Sequence, residues 1–169
     1  MGKTILAIDP GNVLSGWCMI DEDTLKPLNF DKSYNHDVLY LMEQGATALW
    51  LDEVVIERVA SYGMVVGAEV FQTCEWIGRF TQKAEENNIP VRYIYRNAEK
   101  IHICHDTKAK DANIRRALID RFAQHDLKNG KGTKDDPDWF YGFRADIWSA
   151  YAVGLTYIER SKYGQEGME

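Results

Sequence analysis

Two short apolar runs, each closed by an acid, constrain this chain more than anything else in it. Thr4-Ile5-Leu6-Ala7-Ile8 runs into Asp9, and Val54-Val55-Ile56 runs into Glu57. Nearly continuous apolar runs of this length read as central strands covered on both faces. A carboxylate at the end of such a strand is costly to desolvate unless something cationic compensates it. Far downstream a third acid, Asp146, heads the helical stretch Ile147-Trp148-Ser149-Ala150-Tyr151-Ala152-Val153-Gly154-Leu155. Three carboxylates converging where strands end would form a hard, oxygen-rich set suited to Mg²⁺ or Mn²⁺.

The rest of the chain fits around those strands. The first strand spans Lys3 to Asp9. Asp9-Pro10-Gly11-Asn12 is a turn, and Gly16 to Ile20 returns antiparallel. A third strand is expected within Leu28 to Tyr34, a helix from Asp37 to Leu51, and a fourth strand from Glu53 to Arg58. A long helix follows from Met64 to Asn87, then a strand from Val91 to Tyr95 and a helix from Asp111 to Gln124. Lys128 to Gly142 carries Gly130, Gly132, Pro137 and Gly142 and reads as a loop before a last helix from Phe143 to Lys162. Three strands followed by alternating helices and strands predict a mixed α/β sheet with helices on both faces. At 169 residues the chain is expected to be one domain, 1–169.

Composition narrows the partners. No apolar stretch is long enough to span a membrane, and the N-terminus runs straight into a strand without the features of a signal peptide. Cys18, Cys74 and Cys104 are far apart and lack metal-ligand spacing, so they are expected to be reduced, mostly buried thiols in a cytoplasm. The net charge of −6 argues against a nucleic-acid partner until its distribution is examined. Between Arg96 and Lys134 stand 10 Lys/Arg against 5 Asp/Glu. Such a chain can meet polyanions with one face while carrying metal-binding acids elsewhere, although a solvated mixed-charge surface gives the same count.

The three acidic motifs resemble, in order and spacing, those of the RuvC family of Holliday junction resolvases. Asp9-Pro10-Gly11 with Ser15-Gly16-Trp17 is similar to that family's opening motif. Val54-Val55-Ile56-Glu57 is similar to its second, and Arg144-Ala145-Asp146-Ile147-Trp148-Ser149-Ala150-Tyr151-Ala152 to its closing helix. The divergent members encoded by bacteriophages are the nearest likeness, especially from Lys131 through Gly142. The resemblance implies a ribonuclease H-like five-stranded sheet with the first and fourth strands side by side and parallel. Asp9 would bridge two metal ions, flanked by Glu57 and Asp146. The implied activity is metal-dependent nicking of branched DNA by a homodimer, in a bacterial host's cytoplasm if the chain is phage-encoded. The family also uses an aromatic residue shortly after the second acid to stack at the junction, and Tyr62 occupies that place.

One position departs from the family pattern. Where a second acid is usual on the closing helix, this chain has Ser149, on the same helical face as Asp146. A hydroxyl can bind a metal's water but adds no charge. The site would then hold its second metal weakly or recruit an acid from the loop, from among Asp135, Asp136 and Asp138. Ile147, Ala150, Tyr151, Gly154 and Ile158 form the opposite stripe, expected against the sheet.

Each singled-out residue also has a plainer reading. Asp9 could be a turn former, Glu57 the partner of a nearby base, Asp146 an acid favoured at a helix N-terminus, and Tyr62 a cap on the long helix. Lys108, Lys110, Arg115 and Arg116 are the expected phosphate contacts in the basic segment, and His102 and His105 form no pattern. Two other functions compete with the leading one: a catalytically weakened branched-DNA-binding protein, prompted by Ser149, and a YqgF-type nuclease acting on RNA. Apolar residues from Val66 to Phe80 cover more of their helix than one buried face needs, so a two-fold partner is expected there.

Overall fold

The computed structural model describes residues 2–164, so the expected single domain, 1–169, extends past it at both ends. Five strands, β1 (Thr4–Asp9), β2 (Leu14–Asp21), β3 (Pro27–Tyr34), β4 (Glu53–Arg58) and β5 (Val91–Tyr95), form one sheet in the order β3-β2-β1-β4-β5. β2 is antiparallel to β1 and to β3, whereas β4 is parallel to β1 and β5 is parallel to β4. The two acid-bearing strands are therefore neighbours at the centre of a mixed sheet, as their uninterrupted apolar runs require.

Five helices cover the sheet: α1 (Asn35–Thr47), α2 (Ala68–Glu86), α3 (Arg96–Cys104), α4 (Asp111–Phe122) and α5 (Ile147–Lys162). Alternate residues of β1 feed two separate cores. Leu6 and Ile8 pack with Val38 and Met42 of α1 and Ile77, Phe80 and Ala84 of α2. Ile5 and Ala7 pack with α5, α4 and the aromatic residues Phe140 and Phe143. The expected stripe of α5 lies buried, and at Gly154 the helix comes close to the sheet: a Cβ there would stand 2.4 Å from Ile20 Cδ1 and 2.9 Å from the Cβ of Ala7.

Several boundaries differ from those expected. α2 begins at Ala68 rather than Met64, because Ser61 to Met64 closes a tight turn with the Met64 amide donating to the Ser61 carbonyl at 2.9 Å. α5 begins at Ile147 rather than Phe143, since Ala145 takes a left-handed φ of 42° and the preceding aromatic residues fold inward as core. α1 starts at Asn35, two residues early, and ends at Thr47. A nine-residue helix, α3, follows β5 with no intervening loop where none was expected. Cys18 is buried as expected, but Cys74 is exposed on α2. Among the described residues no helix is long and apolar enough to cross a membrane.

Candidate active site

The sheet's pleat and register bring the acids together. Ile8 pairs with Ile56, so Asp9 and Glu57 follow side by side at the same end of β1 and β4. Side chains alternate along a strand. Asp9 thus shares a face with Ile5 and Ala7, and Glu57 with Val55, which is the face that α5 covers. On the next strand Gly16 lies opposite Asp9. A Cβ at Gly16 would stand 2.6 Å from the Asp146 carbonyl oxygen, so the missing side chain admits the start of α5 against this end of the sheet. Beyond Gly16, across β3, comes Lys32, whose Nζ lies 2.7 Å from Asp146 Oδ2.

A small polar network fixes the turn that follows Asp9. Ser15 Oγ accepts the Gly11 amide at 3.1 Å and donates to buried Asn35 Oδ1 at 2.6 Å, while Asn35 Nδ2 donates to the Gly11 carbonyl at 2.9 Å. Gly11 is required by the approach of the Leu14 carbonyl, whose oxygen a Cβ there would meet at 2.1 Å.

Two acids that the motifs do not contain also reach this end of the molecule. Glu99, on α3, is fully buried, and its carboxyl lies within hydrogen-bonding reach of that of Glu57. Arg96 donates to Glu99 Oε1 at 3.3 Å and also pairs with Asp111, the first residue of α4. Burial, reinforced by the charges of Glu57 and Asp146, pushes the Asp9 carboxyl well above its ordinary range. Burial likewise raises Glu57, against the pull of Arg96, and raises Glu99 strongly, with Glu57 adding to it. Glu57 Oε2 and Glu99 Oε2 are buried without a hydrogen-bond partner. One guanidinium is thus shared among more carboxylates than it can neutralise. Such a site favours a further cation.

The donor chemistry and the orphaned oxygens fit a hard divalent cation, for which Asp9, Glu57 and Asp146 would be the ligands. Among the described residues, no three His, Cys, Asp or Glu side chains stand close enough together to hold a metal ion as they are placed. Ser149 lines the cleft beside Asp146, together with Arg96, Asp111 and Arg115. The three loop acids sit elsewhere. Asp138 is buried, and its carboxylate accepts the amides of Gln124, His125, Asp126 and Trp139 at 2.7–2.9 Å. Burial pushes Asp138 up, but those amides more than reverse it and hold its carboxyl well below the ordinary range. Asp136 faces His125 at 3.5 Å, and Asp135 is exposed.

A second cleft, of about 450 Å³, adjoins the first through Arg115 and Trp148 and is lined by Arg116, Lys128 and Lys131. Arg115 lies over the Trp148 ring, 5.2 Å from its centre, and lines both clefts. Arg116 is occupied: it pairs with Asp120 and donates to the carbonyls of Leu127 and Lys128, bracing the loop. Lys108 and Lys110 are exposed at the approach to α4. Tyr62 is exposed at the tip of the turn after β4, with a left-handed φ of 48°, and caps no helix. His102 is engaged by Glu159 at 3.1 Å.

Sequence reasoning missed Glu99, Asp111, Arg96 and Lys32. The signal for the first two was slight: an Arg-x-x-Glu spacing directly after a strand, and an acid opening a helix.

The sheet order, the parallel pair at its centre and the closing helix define the ribonuclease H-like class of folds. Within that class the chain has the fold of RuvC. It is similar to a structure titled "T. thermophilus RuvC in complex with Holliday junction substrate", with a TM-score of 0.71 at 14% identity, covering 96% of this chain and 97% of that one. A second Thermus thermophilus RuvC structure gives a TM-score of 0.64 at 16% identity, over 96% and 97% of the two chains. No family model matches the chain, and no curated protein does.

Proposed function

We propose that this protein is a metal-dependent endonuclease that binds branched DNA, four-way junctions above all, and nicks two strands symmetrically as a homodimer. What supports this reading is that Asp9 and Glu57 stand on adjacent parallel strands, that the start of α5 with Asp146 packs on Gly16 at the same end, and that Glu57 keeps a buried, unpartnered carboxylate oxygen. Two Mg²⁺ or Mn²⁺ ions bound there would supply an activated water and charge stabilisation at the leaving oxygen. The protein's own part is placement. Gly16 and the Ser15–Asn35 network set Asp9 against Asp146, and Lys32 holds the Asp146 carboxylate in position. Arg115, Lys128 and Lys131 line a path for the phosphate backbone, with Lys108 and Lys110 at its approach. Tyr62, held out on its turn, offers a ring for an unstacked base, which is worth about 1–3 kcal/mol.

The homodimer rests on α2. Only its C-terminal half is packed, through Ile77, Phe80 and Ala84. Gly67, Phe71, Cys74 and Gly78 form an exposed stripe at alternating four- and three-residue spacing, and a side chain at either glycine would meet nothing. An apolar stripe with open glycines suits close approach of a second copy, and two-fold symmetry sets two sites against two equivalent strands.

A second reading, a ribonuclease H-like protein that binds branched DNA without cutting it, is favoured by Ser149 in place of an acid. Labelled branched and linear DNAs incubated with Mg²⁺ or Mn²⁺ separate the two. Junction nicking is expected from the wild type, with loss of nicking but retained junction binding in Asp9→Asn. An Asn variant that nicks at the wild-type rate overturns the metal-site assignment, and a wild type that binds junctions without nicking favours the second reading.

A further inference from the structure

We propose that Glu99, delivered by α3, is the acid that takes the place left by Ser149, serving as a fourth carboxylate of the metal site. The proposal rests on the metal-dependent reading above and concerns a residue outside all three acidic motifs.

Four observations carry it. Glu99 is fully buried, in a place where a glutamate is almost never found unless it is paired. Only one of its oxygens is satisfied, by Arg96 at 3.3 Å, and Oε2 has no partner. Its carboxyl reaches that of Glu57, whose own Oε2 is orphaned as well. Two buried carboxyls this close, each with an oxygen that no N–H donor of the described residues reaches, are held together by a shared proton until a cation replaces it as their common partner. Finally, a simple counter-ion role for Glu99 is redundant, because Arg96 already has Asp111.

The fold accounts for the placement. β5 lies beside β4, so whatever follows β5 directly falls next to the residue that ends β4. α3 begins at Arg96 with no loop, and its first turn therefore lands against Glu57. Arg96 and Glu99 are three apart and share a helical face, so one turn delivers an acid together with a cation that makes its burial tolerable. Asp135, Asp136 and Asp138 lie on the far loop, and Asp138 is fully used by backbone amides. α3 thus supplies from the β5 side the charge that α5 lacks at Ser149.

The test is Mn²⁺ binding to the whole protein without DNA, followed by calorimetry and by the electron paramagnetic resonance of free Mn²⁺, with folding checked by circular dichroism. Glu99→Gln is expected to weaken Mn²⁺ binding by roughly tenfold or more, within the range seen when groups around a metal are removed. Glu99→Asp, which keeps the charge at shorter reach, should also weaken it. Adding Ser149→Asp to Glu99→Gln should restore binding, which a purely structural role for Glu99 would not allow. Wild-type Mn²⁺ affinity in either single variant overturns the proposal, as does a double variant no tighter than Glu99→Gln. Asp9→Asn separates the two levels. If it loses Mn²⁺ while Glu99→Gln does not, Glu99 alone is wrongly assigned. If neither loses it, the metal-site reading itself falls.

Discussion

At the scale of single residues, similar carboxylates meet opposite fates. Asp138 has its charge answered by four backbone amides, whereas Asp9, Glu57 and Glu99 share one guanidinium. The first pattern stabilises a loop, and the second leaves buried carboxyls held above their ordinary range. Asp138→Ala is expected to cost about 2–3 kcal/mol at neutral pH, since the amides lose a charged acceptor, as measured by urea unfolding. The folded carboxyl titrates below its ordinary value of about 3.9. Its stabilisation is therefore present above that pH and lost as the pH falls through the lower, folded value. The gap between wild type and variant should accordingly close in acid, and a gap that stays constant down to pH 2 would exclude this role. The contrast also marks the limits of the sequence. Asp9 and Glu57 were legible because an apolar strand around a terminal acid is unusual in itself. Glu99 was not, because a glutamate among Arg96, Asn97 and Lys100 has the pattern of a solvated helix, and only the packing of α3 against distant parts of the chain buries it.

Among the elements, α5 positions the site most directly, and its fit to the sheet depends on small residues. Gly154 meets Ile20 and Ala7, and Gly16 meets the backbone of Asp146. Gly154→Ala forces the helix outward and is expected to destabilise by about 1–3 kcal/mol, seen as a lowered midpoint of thermal unfolding. An unchanged midpoint would mean that the helix can slide without cost. The buried stripe of α5 was readable from its periodicity. The start of the helix was not, since Phe140 and Phe143 are core residues held by an irregular chain that no periodicity describes. α3 escaped notice for a related reason: nine residues joined to a strand without a turn residue give too few repeats for a helical pattern. The approach to α4 is the place to test DNA contact. Replacing Lys108 and Lys110 with Ala should weaken binding to all sequences alike and reduce the salt slope by about two units. An unaltered slope would move the DNA surface elsewhere.

For the whole molecule, the pairing of the first and fourth strands was expected only through the resemblance that the acidic motifs carry, while the proposed association surface could be read only as an excess of apolar residues on one helix. The structure resolves that excess into a packed half and a bare half of α2. Phe71, exposed at the centre of the bare stripe, is the residue to change. Phe71→Glu is expected to leave a folded monomer by light scattering, with paired nicking of a junction reduced to single, uncoordinated nicks. A dimer that survives the substitution would place the two-fold axis on another face. The layout of the site has a consequence for the life of the chain. Its acids come from the first strand to be made, from β4 and α3 in the middle, and from the start of α5, which packs directly on the first strand. A ribosome-bound chain with α5 still inside the exit tunnel therefore has no closed acid cluster, and neither does a fragment cut anywhere between β1 and α5 whose pieces separate. On the function proposed above, cleavage of DNA would thus have to wait until α5 has packed on β1.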